Sequence, residues 1–93
     1  MDDNERIRKM QIVYKKHVIK YEREKRVIKE TGIRIKILQN RLKMNIPSKR
    51  KTAIKNKILR LENVRLQAEI KKGREEQRIR TLETALQVRR SVL

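Results

Sequence analysis

Stepping alternately by three and four residues from Ile7, the chain presents two interleaved series. One is Ile7, Tyr14, Tyr21, Ile28, Ile35 and Leu42, apolar throughout; its companion is Met10, His17, Glu24, Thr31, Leu38 and Asn45, which is mixed. This spacing puts both series on one face of a helix. Its persistence over six sevenfold repeats is the pattern of a helix packed lengthwise on another. Asp2, Asp3 and Asn4 are capping residue types, and Glu5 adds negative charge to a first turn. The pattern predicts a helix from about residue 4 to 46. One stretch competes: Gly32 to Ile37 alternates apolar and polar with a period of two, as a strand does. No second alternating segment exists to pair with it, so the helix is preferred. Gly32 costs that helix about 1 kcal/mol relative to Ala, and a local kink is expected there.

The only proline, Pro47, separates this helix from a second, expected from about residue 49 to 91, with the turn at 47–48 and Ser48 as its cap. The second half steps through Ile58, Arg65, Lys72, Ile79, Leu86 and Leu93, with Ile54, Leu61, Ala68, Glu75, Leu82 and Arg89 alongside. Its ends are apolar; its middle, which includes Gly73, is not. If the halves fold back on each other near Ser48, facing residues have numbers summing to about 96. That register brings Leu42 to Ile54, Leu38 to Ile58, Ile35 to Leu61, Ile28 to Ala68, Tyr14 to Leu82 and Met10 to Leu86. It also sets Tyr21 against Glu75, Thr31 against Arg65 and Glu24 against Lys72. The two halves match without being fitted to each other.

The expected fold is therefore all-α: one domain over residues 1–93, a long antiparallel coiled-coil-like hairpin with arms of about 60 Å at 1.5 Å per residue. The seam is assigned to Ile7, Tyr14, Tyr21, Ile28, Ile35, Leu38, Leu42, Ile54, Ile58, Leu61, Ile79, Leu82 and Leu86. Ile12, Ile19 and Ile33 form a further apolar stripe on the first helix, and Leu59 and Leu66 one on the second. Two rods alone bury little surface, so these stripes point to self-association into a homo-oligomer. A parallel dimer of bent rods would use the same stripes.

Charge changes the picture from architecture to partner. Of 93 residues 42% are charged, and the net charge is +17. Between Glu30 and Glu62 there is no acidic residue. That interval, 31–61, holds Arg34, Lys36, Arg41, Lys43, Lys49, Arg50, Lys51, Lys55, Lys57 and Arg60. A hairpin closed at Pro47 carries all ten at its turn end, a basic tip that repels itself unless an anion binds. Phosphates fit best, followed by Lys and Arg without base reading, with Ser48, Thr52, Asn45, Asn56 and the first amides of the second helix adding contacts. The tip has no aromatic on which unpaired bases could stack. Duplex is therefore expected over single strands, and duplex DNA over RNA.

A membrane surface would want Trp, Phe or Leu opposite the charges, and the tip offers only Ile and Met. The longest apolar run, Ile12-Val13-Tyr14, is too short for a membrane span or a secretory signal. The expected setting is intracellular or inside a particle, nucleus or virion for a eukaryotic or viral source. Pro47-Ser48-Lys49-Arg50-Lys51 has the form of a short nuclear-import motif, and Ser48 lies in a basic context that kinases use. Residues 48–66, SKRKTAIKNKILRLENVRL, resemble a basic leucine zipper in order: a basic run, then Leu59 and Leu66 seven apart. They lack that family's Asn-x-x-Ala-Ala-x-x-Ser/Cys-Arg pattern, and the leucine repeat fails at Gly73, so the resemblance implies no base reading.

Catalytic chemistry is hard to place. His17 is the only histidine and there is no cysteine, which leaves no ligand set for zinc. Glu75-Glu76 and Asp2-Asp3 have no partner base, and two glycines cannot build a phosphate-cradling loop. The expectation is a non-enzyme with no cofactor, metal or small-molecule substrate. It would be a structural nucleic-acid-binding protein that coats or condenses a genome or braces a nucleoprotein or virion particle. The alternative is a coiled-coil assembly or scaffold protein whose basic tip docks on an acidic protein surface of a capsid or filament.

Overall fold

A computed structural model describes residues 2–92, with side chains through Arg89; Leu93, which ends one series of the repeat, lies outside the described residues. Two helices make up the described residues: α1, Asp3–Leu42, of 40 residues, and α2, Ser48–Val92, of 45 residues. They pack antiparallel in a rod of 68 × 18 × 13 Å. The hairpin is thus as long and narrow as the repeat requires.

Local chemistry explains where α1 starts. The Asp2 side chain accepts a hydrogen bond from the Glu5 amide at 2.7 Å, and the Asp2 carbonyl accepts from Arg6 at 3.2 Å. Asp3 and Glu5 then place negative charge in the first turn, where the helix dipole favours it. The other end differs from expectation. α1 stops at Leu42 rather than near residue 46, because Pro47 cannot donate to the carbonyl of Lys43 and its ring would collide with it. Bonds from Lys43 to Asn40 at 3.2 Å and from Met44 to Arg41 at 3.1 Å tighten the last turn. The connector is therefore residues 43–47, longer than the 47–48 turn expected. Ser48 is the first residue of α2 and not its cap: the Pro47 carbonyl accepts the first helical bond, from Lys51 at 3.0 Å.

α1 runs unbroken as α-helix through Gly32, so the strand reading does not survive. A side chain at Gly32 would meet only the Arg65 guanidinium, at 3.8 Å.

The core is thin and concentrated near the turn. Ile35, Leu38 and Ile58 are buried, with Leu42, Ile54 and Leu61 half-buried against them. These are the residues the summing register pairs. Farther along, Ala68 and Leu86 are buried, while Ile7, Tyr14, Tyr21, Ile28, Ile79 and Leu82 are half-buried. Thr31 is also buried; its hydroxyl donates back to the Val27 carbonyl, which satisfies it within its own helix.

The polar middle of the seam departs from the simple register. Lys72 does not meet Glu24; its ammonium lies over Tyr21, 5.7 Å from the ring centre, and 3.9 Å from Glu76. Glu75 turns from Tyr21 to His17, and Arg65 turns outward to Glu69 at 3.6 Å. Long polar side chains reach diagonally across the interface to find charge, which aliphatic pairs have no reason to do.

Candidate nucleic-acid interface

The last turns of α1, the connector and the first turns of α2 bring all ten tip cations to one end of the rod. Arg34, Lys36 and Arg41 project from α1, Lys43 from the connector, and Lys49, Arg50, Lys51, Lys55, Lys57 and Arg60 from α2. Nine are exposed; Lys51 is half-buried. The spacing of nine of them keeps them off the seam, so the six aliphatics beneath can pack while the charges stay in water; Lys51, seven residues before Ile58, lies on the seam line itself.

Among the described residues every ion pair lies elsewhere. The pairs are His17–Glu75, Glu22–Lys25, Arg65–Glu69, Lys72–Glu76, Arg78–Glu75 and Arg89–Asp3. None involves a tip cation. The first turn of α2 has no acidic residue either, so the positive end of that helix dipole adds to the field rather than offsetting it.

The tip cations fall on two faces. On one, Arg34, Arg41 and Lys57 rim a shallow groove floored by Leu38 and Leu61, and Arg41 and Arg50 rim a second beside Ile54. On the other face Lys36 shares a groove with Lys29, Arg65 and Glu62. Lys29 and Arg65 border the acid-free interval and were not among the expected contacts. Arg65 was hidden by its place in the seam series, where a charged residue is the only signal. Thr52 donates its hydroxyl to the Ser48 carbonyl at 3.1 Å. Ser48, Asn45 and Asn56 are exposed beside the basic cluster.

Far from the tip, the seam holds a polar cluster. Glu75 is buried; one oxygen accepts from His17 Nδ1 at 2.5 Å and the other from Arg78 at 3.1 Å. Two partners on one carboxylate make its burial tolerable. Tyr14 donates its hydroxyl to Glu83 at 3.0 Å, and that bond, with the carboxylate's negative charge, holds the phenol pKa above its usual 10.0. Tyr21 lies beneath the ammonium groups of Lys25 and Lys72. Both aromatics are thus engaged in or beside the seam.

Among the described residues no group of three or more His, Cys, Asp or Glu is placed to hold a metal ion, and no helix is long and apolar enough to cross a membrane. What the surface offers at its turn end is positive charge without protein counterions. No protein-family model, curated protein or solved structure matches this chain.

Proposed function

We propose that this chain is a structural protein that binds the phosphate backbone of double-stranded nucleic acid without reading sequence. One observation carries the reading: among the described residues none of the ten cations around the turn pairs with a carboxylate, while Asp3, Glu22, Glu69, Glu75 and Glu76 all pair with cations elsewhere. A cluster left uncompensated in water opposes folding. A polyanion relieves it by exchanging its condensed counterions for the protein's charges. Duplex DNA is favoured over single strands because Tyr14 and Tyr21, the only aromatics, lie far from the tip in the half-buried seam. In this role the chain would coat or condense a genome or brace a nucleoprotein particle.

Self-association belongs to the same proposal. Ile12, Ile19, Ile33, Leu59 and Leu66 are each more than half exposed, on outer faces that the hairpin itself does not cover.

The test is binding to random-sequence duplex DNA across a salt series. The logarithm of the binding constant should fall with log salt at about 0.9 per phosphate contacted, with several contacts at once. Alanine at Lys49, Arg50, Lys51, Lys55 and Lys57 together should lower that slope. A flat salt response, or binding to polyglutamate but not to DNA, would sink the phosphate reading; the latter would favour docking on an acidic protein.

A further inference from the structure

The seam divides the rod into two long sides, and they differ in charge from end to end. Along one side, every seventh residue of α1 from Arg6 to Arg41 reads Arg, Val, Lys, Val, Arg, Arg. Every seventh of α2 from Arg50 to Ala85 reads Arg, Lys, Val, Lys, Arg, Ala. Neither series contains a carboxylate. Along the other side α2 places Glu62, Glu69, Glu76 and Glu83 seven apart.

The contacts follow this division. Glu69 and Glu76 pair with Arg65 and Lys72, Glu22 with Lys25, and Glu83 with the Tyr14 hydroxyl, all on the second side. On the first, among the described residues, only Arg78 is held by a carboxylate, and that one, Glu75, comes from the seam. Three shallow grooves open on the first side. Their rims carry Arg74 and Arg78, then Arg34, Arg41 and Lys57, then Arg41 and Arg50, and none has an acidic lining residue. The groove on the second side includes Glu62. The turn end is thus one terminus of a longer basic track.

We infer that the hairpin lies lengthwise on duplex nucleic acid with this whole side against the phosphates, an inference that rests on the phosphate-binding reading above. On each helix these cations recur about every 10 Å where successive positions are charged and about every 21 Å where a valine intervenes, and the two helices supply them alternately. Val13, Val27, Val64 and Ala85 at the remaining positions have no group to hydrogen-bond a base edge, so the track follows the backbone. A 68 Å rod laid along the axis covers about 20 base pairs at 3.4 Å each. Docked end-on, its 18 Å width would cover roughly 5.

Two triple variants test this, each with the same charge change and each placed away from the tip on exposed positions. K20E/K71E/R74E reverses the basic side; R8E/K15E/R80E reverses the other. Glu is a good helix former, and far-UV circular dichroism should show both variants as helical as the parent. Should either lose helix, the Gln versions repeat the comparison at half the charge change. On random-sequence duplex DNA the first triple should lower the log–log salt slope by about 2 to 3, at roughly 0.9 per contact, and the second by less than about 1. For the parent chain, the slope should also grow between duplexes of about 10 and about 20 base pairs. Equal losses from the two triples would overturn binding through this side and make the whole rod an undirected polycation, whereas no loss from either, or a slope that is already constant at the shorter length, would overturn lengthwise binding and leave the tip alone as the contact. Absence of any duplex binding by the parent would instead overturn the phosphate reading itself.

Discussion

Replacing Lys49, Arg50, Lys51, Lys55 and Lys57 by Gln should make the free hairpin more stable while loosening its grip on duplex. Among the described residues no carboxylate approaches these five within ion-pair distance, so the change breaks no salt bridge, and Gln matches Lys and Arg in helix propensity. Lys51 and Lys55 stand four apart on α2, an arrangement in which like charges cost roughly 0.2–0.5 kcal/mol. Lys57 shares a groove with Arg34 and Arg41, and Arg50 shares one with Arg41. With helices packed at the usual 8–10 Å, each such pair repels by about 0.4 kcal/mol in water. Cations in the first turn of α2 also oppose its dipole, by about 0.3–1 kcal/mol each where unscreened. Together these give roughly 2 kcal/mol at low salt. For a domain of this size that raises Tm by about 10 °C.

Melting followed by far-UV circular dichroism at low salt and near 1 M salt is the assay. The parent and variant should differ at low salt and converge at high salt, where screening shortens to about 3 Å. A variant that melts lower than the parent at low salt would refute the reasoning, because it would show these cations holding the fold together instead of straining it.

Two further outcomes follow from the seam. Leu38→Ala, at a position only 6% exposed, should cost about 2–3 kcal/mol, the lower part of the usual range because a two-helix seam can close over a void. Ile37→Ala beside it, 49% exposed, should cost under about 1 kcal/mol; equal losses in denaturant titration would mean the seam is misassigned. In a Tyr21→Phe background, phenolate absorbance should show Tyr14 ionising above pH 10, and Glu83→Ala should move it down toward 10.0. Because the folded-state value is the higher one, the Tyr14–Glu83 contact supports the fold below pH 10 and that support fades as pH climbs through the raised value.

Most of the architecture was legible because one seam repeats without a slip. Ile35, Leu38, Leu42, Ile54, Ile58 and Leu61 pack as their numbers pair them, since branched aliphatics gain only by facing each other. The turn was less legible. Pro47 marks it, yet the helix ends four residues earlier than expected, because a proline acts on the carbonyl of Lys43, a full turn upstream. The polar seam was least legible. Residue numbers place Glu75 opposite Tyr21 and Lys72 opposite Glu24, but side chains with several rotatable bonds settle where their charge is met. His17 and Arg78 therefore take Glu75, and Tyr21 takes Lys72. At the tip, the absence of acids between Glu30 and Glu62 is plain in the chain. The sidedness of the whole rod is not, until a helical phase is fixed and the glutamates from 62 to 83 fall together.

The crowding of the apolar core beside the connector has a consequence for how the molecule forms. Ile35, Leu38 and Ile58 lie close to a loop of five residues, so their contacts close first, at small cost in chain entropy. The arms then zip outward toward the chain ends, through a seam in which Ala68, Leu86 and half-buried aliphatics alternate with the polar contacts of Glu75, Tyr14 and Asp3. Hydrogen exchange should accordingly be slowest around residues 35–61 and quicken toward both ends. The nucleus of folding is then also the most electropositive part of the chain, and a polyanion that neutralises it acts on the step that commits the hairpin to fold.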